Sequence, residues 1–357
     1  MEAQRALLQQ PRITLGLVGC YVVAGLLFLI PAAILGLAIW LLFWQSQNMF
    51  AILGGLVLLW ITYVLIPRPS KHDALTFGRD EMPELMRLVD AVADALDAPV
   101  PDGLSFDYQI NASAWTVGLV RRRHFLQIGV PLWRLYEPQQ RVALIAHELA
   151  HFVNGDPARG GFVGGALHAV ERWDFLLRPD ADDPLGRDLV GMVAELLQWL
   201  LILPVLGLGR LLVLLQFNRS QRAEYLADGL AAQVAGRDAL VSGLRLLALT
   251  PIADQAIFQL YPFDRDQNAR VFNVMIGAVQ NATKEERATL EAEAAKEKAR
   301  VDASHPPTSY RMAFLELMEP SAPKVKATDF DFDLIAFEMQ AEADRQGKRL
   351  MQLHEVQ

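Results

Sequence analysis

The sequence predicts a mainly α-helical protein with a small β-sheet, built on an N-terminal transmembrane helical hairpin. Three observations carry this reading. Two uncharged apolar runs, residues 13–44 and 49–66, open the chain. Helical periodicity then dominates, with β-like stretches confined to residues 104–130. Residues 147–151 place two histidines and a glutamate together on one helical segment.

Composition sets the outer limits. Of 357 residues, 52% are hydrophobic and 21% charged. That is too apolar for a disordered chain and unusual for a purely soluble one. The net charge of −8 argues against a nucleic-acid partner, which calls for a basic surface. Cys20 is the single cysteine, which excludes an internal disulfide and a cysteine-based zinc site. Any metal has to be held by histidines and carboxylates.

A helix needs about 20 apolar residues to cross the hydrocarbon core. Residues 13–44 exceed this length, and 49–66 approach it, with Trp60 and Tyr63 suited to an interfacial end. Arg5 and Arg12 precede the hairpin, Arg68 and Lys71 follow it, and the loop Gln45-Ser46-Gln47-Asn48 is uncharged. Positive residues stay on the cytoplasmic side. The expectation is a multi-pass protein of the cell's inner membrane, in contact with the lipid bilayer, whose chain after residue 67 begins in the cytoplasm.

Leu85, Leu88, Val89, Val92 and Leu96 recur at helical spacing, so residues 81–96 read as an amphipathic helix ended by Pro99 and Pro101. Residues 104–110, 112–117 and 124–130 read as short strands, with Arg121, Arg122 and Arg123 in a solvated turn. Pro138 suits the first turn of a helix running to Phe152, with Gly155 beyond its end. Residues 157–188 read as irregular. Residues 189–217 are again apolar, broken only by Glu195 and Arg210. Ser220 is placed as the N-cap of a helix containing Glu224 and Asp228. Residues 284–300 read as an exposed helix without a site. The resulting division is a hairpin (1–67), a catalytic domain (68–320, with 189–217 membrane-associated) and a C-terminal linker and helix (321–357).

The chemistry is concentrated in His147-Glu148-Leu149-Ala150-His151. Two histidines four apart lie on one helical face, so both rings reach the same metal ion, and Glu148 beside them is placed to take a proton from a metal-activated water. The preceding Val142, Ala143, Leu144, Ile145 and Ala146 make this a buried helix, a poor place for two histidines and a glutamate without a metal. A catalytic zinc needs a third protein ligand and one open position. Glu224 is the best candidate. Asp228, four residues on and on the same face, is placed to accept the free N–H of a ligand histidine.

At this point the chain resembles the HtpX and CAAX-prenyl-endopeptidase family of zinc metallopeptidases, metallopeptidase family forty-eight. The likeness rests on five features in the family's order. They are the apolar hairpin; Asn111-Ala112-Ser113-Ala114; His147 to His151 followed by Asn154-Gly155-Asp156; Glu224 with Asp228; and His305-Pro306-Pro307 with Arg311. The resemblance implies a gluzincin-type metallopeptidase domain holding one Zn2+ per chain through His147, His151 and Glu224, with Glu148 as general base. It implies that Asn111, Ala112, Ser113 and Ala114 form an edge strand beside the cleft, to which an extended protein or peptide substrate adds. It also places His305, Tyr310 and Arg311 near the cleft, with Tyr310 or Arg311 as oxyanion stabilisers.

The reading is therefore a membrane-bound zinc endopeptidase acting on misfolded or damaged membrane proteins. Two alternatives stand beside it: a non-catalytic membrane scaffold or chaperone, and a prenyl-protein processing protease. For residues 189–217 the expectation is that the run does not cross the bilayer. His151 precedes it and Glu224 follows it, both have to reach one ion, and the only candidate second span between them, residues 160–177, carries Glu171, Arg172 and Asp174, which make crossing expensive. Gly207 and Gly209, after Pro204, are expected to break it into a bent pair.

Overall fold

The computed structural model describes residues 15–45, 48–66, 76–118, 121–154, 161–178, 189–260, 270–297 and 305–354. The flanking charges Arg5, Arg12, Arg68 and Lys71, together with Gly155 and Asp156, lie outside these. In chain order the elements are α1 (Leu15–Trp44), α2 (Met49–Leu65), α3 (Pro83–Leu96), β1 (Gly103–Asp107), β2 (Ala112–Val117), β3 (Arg123–Gly129), α4 (Val130–Leu135) and α5 (Pro138–Asn154). There follow α6 (Gly161–Leu177), α7 (Leu189–Ala235), α8 (Arg237–Leu247), α9 (Thr250–Leu260), α10 (Arg270–Gln280) and α11 (Lys284–Ala294). The chain closes with α12 (Thr308–Glu316), a 3-10 turn (Ala327–Asp329), α13 (Phe332–Glu338) and α14 (Gln340–His354). They divide into two compact units, one drawn from residues 9–71 and 160–218, the other from 72–159 and 219–357.

In the first unit α1 and α2 form the expected hairpin. The Asn48 side chain caps α2 by accepting from the Phe50 N–H at 2.9 Å. The core joins Cys20, Val23, Ala24 and Leu27 of α1 to Val163, Ala166 and Trp173 of α6 and to Ile202, Val205 and Leu212 of α7. The Trp173 indole N–H donates to the Leu65 carbonyl at 2.8 Å. Outward-facing positions are large and apolar, among them Leu29, Trp40, Phe50, Trp60, Leu196 and Leu200. Two helical stretches, Leu15–Trp44 and Gly191–Phe217, are long and apolar enough to cross a membrane, and Met49–Leu65 is a shorter apolar helix.

Three expectations are corrected here. Much of residues 157–188 is helical: α6 forms despite its glycines, because it packs on α1 through small buried positions and a helix satisfies its backbone internally in apolar surroundings. Ser220 is not an N-cap but lies inside α7, since no Gly or Pro between 210 and 220 interrupts the helix. Gly207 and Gly209 do not break α7 either. A Cβ at Gly209 would sit 2.7 Å from Val170 Cγ1, so the glycine serves close approach of α7 to α6. α6, between His151 and Glu224, carries Glu171, Arg172 and Asp174 and is not among the described helices that are long and apolar enough to cross a membrane.

The second unit builds the site. Its sheet has the order β1-β3-β2, with β1 parallel and β2 antiparallel to β3, so β2 is an edge. α3 packs beside α5, and α5 also packs against β2 and α8. The amphipathic periodicity foreseen for α3 is realised: Leu85, Leu88, Val89 and Val92 are fully buried. Pro138 opens α5, and the Gln140 side-chain oxygen accepts from the Glu137 N–H at 2.9 Å. Gly236, at φ 90°, turns the chain from α7 into α8. α11 is exposed, closed at its start by a Thr283–Glu286 capping box.

Residues beyond 320 are part of this core rather than a linker. Val325, Ile335, Met339, Ala343, Leu350 and Met351 are buried within it. Glu338 accepts from the backbone N–H groups of Glu84 and Leu85 at 2.8 and 3.0 Å, closing the first turn of α3.

Candidate active site

α5 presents His147, Glu148 and His151, each no more than 4% exposed, and α7 presents Glu224 and Asp228, 1% and 0% exposed. Burial of α5 follows from its apolar sequence, which leaves the three polar side chains to be satisfied by whatever faces them. His147 Nε2 and His151 Nε2 are 3.4 Å apart. Glu224 Oε2 lies 3.4 Å from His147 Nε2, and Glu224 Oε1 lies 3.5 Å from His151 Nε2. Tetrahedral zinc with bonds near 2.0–2.1 Å separates its ligand atoms by about 3.3–3.4 Å, close to these spacings, with each histidine facing a different oxygen of the one carboxylate.

His305 is where the resemblance places it, at the cluster. It groups with His147 and Glu224, their donor atoms within 4.8 Å of one another. Its Nδ1, however, is 2.5 Å from Glu224 Oε2, the distance of a charge-assisted hydrogen bond and too short for two ligands on one ion. His305 is therefore Glu224's hydrogen-bond partner, and His147, His151 and Glu224 remain as residues that could hold an ion.

Behind the donors lies a second layer. Asp228 Oδ1 is 3.0 Å from His147 Nδ1. Arg311, 6% exposed on α12, donates from Nε and Nη2 to the two Asp228 oxygens at 2.8 and 2.6 Å. Burial pushes the Asp228 carboxyl up, but the Arg311 charge overrides it and holds the group at about 2. Glu224 is held well below the usual carboxylate range: burial opposes ionisation, while His305 and His147 favour it. Burial and Arg311 push His147 down, yet its bonds to Asp228 and Glu224 raise it to about 9. The cluster thus attracts a positive charge.

A cleft of about 480 Å³ opens onto His147 and Glu148. Asn111 and Ala112, at the start of the edge strand, line it, as do His305 and Arg311. Ser113 hydrogen-bonds Gln127 across the ladder at 3.3 Å, and Ala114 turns into the core. Tyr310 is half exposed and is not among the lining residues. Arg311 is engaged by Asp228. Tyr136, Gln140, Leu144 and Gly243 also line the cleft. Sequence reasoning missed them because Gln140, Leu144 and Gly243 are ordinary helix residues and Tyr136 an ordinary residue at a helix end until α5 and α8 meet.

Residues 80–319, more than half of the chain, match the model of peptidase family M48. The chain belongs to peptidase family M48. Among curated relatives, the Protease HtpX of Psychrobacter sp. (strain PRwf-1) is 22% identical over 242 residues, 65% of this chain and 74% of its own. That of Pseudomonas putida (strain W619) is 25% identical over 206 residues, covering 56% and 67%. That of Chromohalobacter salexigens is 29% identical over 185 residues, covering 47% and 58%. No solved structure matches the chain. The M48 family makes it a peptidase, and its apolar helices set that peptidase in a membrane.

Proposed function

We propose that this M48 member is a zinc endopeptidase of the gluzincin type, with His147, His151 and Glu224 holding the metal and Glu148 as general base. The observation that carries the reading is the 3.4–3.5 Å triangle of His147 Nε2, His151 Nε2 and the Glu224 carboxylate. Zinc, when bound, polarises the scissile carbonyl and acidifies water. The chain's residues do the rest. The β2 edge takes the extended substrate by backbone pairing. Glu148 accepts the water's proton and returns it to the leaving amine. Asp228 holds His147 through Nδ1, which would leave Nε2 free to bind the metal, and Arg311 balances the Asp228 charge. The substrates are misfolded or damaged membrane proteins, in keeping with apolar helices on the same chain. α1 and α2 lie in the inner membrane with the 189–217 stretch of α7 associated with it, and the flanking Arg5, Arg12, Arg68 and Lys71 favour a cytoplasmic site.

The test is metal content and cleavage by purified protein. Wild type is expected to carry one zinc per chain, and a His147→Ala, Glu224→Ala double variant none. Glu148→Gln is expected to keep zinc and fold while losing about 10²–10⁴-fold in cleavage of a denatured membrane protein. Stoichiometric zinc in the double variant defeats the ligand set. Wild-type turnover by Glu148→Gln removes Glu148 as the base. Zinc without cleavage in the wild type favours a scaffold.

A further inference from the structure

Away from the cleft, a half-buried arginine stands without a carboxylate partner among the described residues. Arg141, in the first turn of α5, donates from Nε to the Trp133 carbonyl at 2.7 Å, and its two Nη groups make no hydrogen bond there. By contrast, the buried Arg311 and the half-buried Arg237 each pair with an aspartate. Burial pushes the Arg141 guanidinium down, and the neighbouring Arg134 charge adds to this, to about 10. The chain has 41 acidic and 33 basic side chains, so carboxylates are not in short supply. A cation removed from water without an anion costs free energy that a bound anion recovers.

The group is also held in a form that receives one. Its Cζ lies 5.2 Å from the centroid of the Trp133 ring and 5.5 Å from that of Phe332, and the two rings are 6.3 Å apart. The Nε bond and the two aromatic faces fix the guanidinium plane, which leaves the Nη edge as a preformed fork. Arg134, on α4, brings a second positive charge. It donates to the neutral side-chain oxygens of Asn273 at 3.2 Å and Gln340 at 3.3 Å. Burial pushes Arg134 down, and Asp344 favours its charge. Asp344 thus answers Arg134 and leaves Arg141 to be matched. Arg141 is not among the residues lining the metal cleft. Phe332 lies beyond residues 80–319, so this corner belongs to this chain and not to the family match.

We propose that Arg141, with Arg134 beside it, is a binding site for a phosphate group, carried by a lipid headgroup or free in solution. Two phosphate oxygens take the N–H donors of the fork, and Arg134 adds its charge. The corner joins α4, α5 and α13, so a bound phosphate ties the C-terminal segment to the helix that carries His147. It stabilises the folded chain by mass action.

The experiment uses the full-length, zinc-loaded protein in maltoside detergent, which carries no phosphate. Binding of inorganic phosphate is read by phosphorus NMR line width and by thermal melting, against acetate at equal ionic strength. Wild type is expected to bind phosphate saturably and to melt higher with it, and acetate to do neither. Arg141→Met keeps an unbranched stem against both rings. It is expected to weaken phosphate binding at least about tenfold while zinc content stays at the wild-type value. Arg134→Gln, outside the ring contacts, is expected to weaken binding about threefold, and less at high salt. Nanodiscs of phosphatidylcholine and of phosphatidylglycerol then separate the two sources. Free phosphate that binds in both is itself the ligand. Phosphate binding lost only in the phosphatidylglycerol discs assigns the site to the anionic headgroup. Phosphate that still binds Arg141→Met with wild-type affinity sits on the metal or elsewhere and overturns the site. Equal binding of acetate, or no saturable binding in detergent, does the same. If Arg141→Met fails to fold, unchanged affinity in Arg134→Gln overturns it.

Discussion

The two units of this chain are solvated in opposite ways. In the unit of α1, α2, α6 and the first part of α7, apolar residues fill the inside and large apolar ones also face out. In the unit carrying the cleft, among the described residues, only Val153, Tyr310, Leu317, Leu334, Phe337 and Leu353 are exposed large apolar side chains. Its interior instead holds His147, Glu148, His151, Glu224, Asp228 and Arg311. In the first case an apolar exterior reports a lipid environment. In the second, buried charge reports a cation, because such groups are tolerated only when paired. One sequence thus uses burial to say two different things.

The sharpest way to break this contrast is to unbalance the buried charges. Arg311→Met strands Asp228 in the interior and is expected to destabilise the cleft unit by about 3–5 kcal/mol. Arg311→Met with Asp228→Asn should recover part of the loss. Denaturant unfolding in detergent reads both. A change below 1 kcal/mol in the single variant would show that the pair is solvated.

Next is pH. In the metal-free protein the raised His147 pKa contributes stability that is complete below the unfolded value of 6.5 and is lost as pH rises through about 9. The expected loss is roughly 3 kcal/mol across that window. Bound zinc takes the place of the proton, so the loaded protein should stay flat over the same range. Parallel thermal melts from pH 6 to 10 with and without chelator make the comparison. A flat metal-free profile would separate His147 from its two carboxylates.

The first unit offers a smaller perturbation. Gly209→Ala drives a methyl group to 2.7 Å from Val170 Cγ1 and is expected to destabilise that unit by about 1–3 kcal/mol, while zinc content stays at the wild-type value. Lost zinc would show that the units are not independent. The smallest effect belongs to Glu338→Ala, which uncaps α3 at a cost of about 1 kcal/mol without altering metal binding. It is read as a shift in denaturant midpoint.

Much of this was written locally. The periodicity of Leu85, Leu88, Val89, Val92 and Leu96 marked α3, and of the β-like stretches 112–117 became β2 with its bounds unchanged, while those at 104–110 and 124–130 became β1 and β3 with ends moved by one to three residues. α6 was hidden because Gly160, Gly161, Gly164 and Gly165 carry turn signals that packing overrides. The end of the chain looked like a linker because its buried residues are spread between charges, and only the facing α3 and α5 give them a purpose.

The sequence by itself determined the hairpin, the paired His147 and His151 with Glu148 between them, and the pairing of Glu224 with Asp228. Each of these depends on spacing within a single element, which helix geometry converts directly into a shared face. The tertiary structure alone decided that His305 bonds Glu224, that Arg311 is turned onto Asp228, and that Tyr136, Gln140, Leu144 and Gly243 form one cleft wall. Those contacts join residues about 80 to more than 160 positions apart in the chain or from separate helices. No periodicity encodes them, because they exist only once the buried faces of α4, α5, α7, α8 and α12 have found one another.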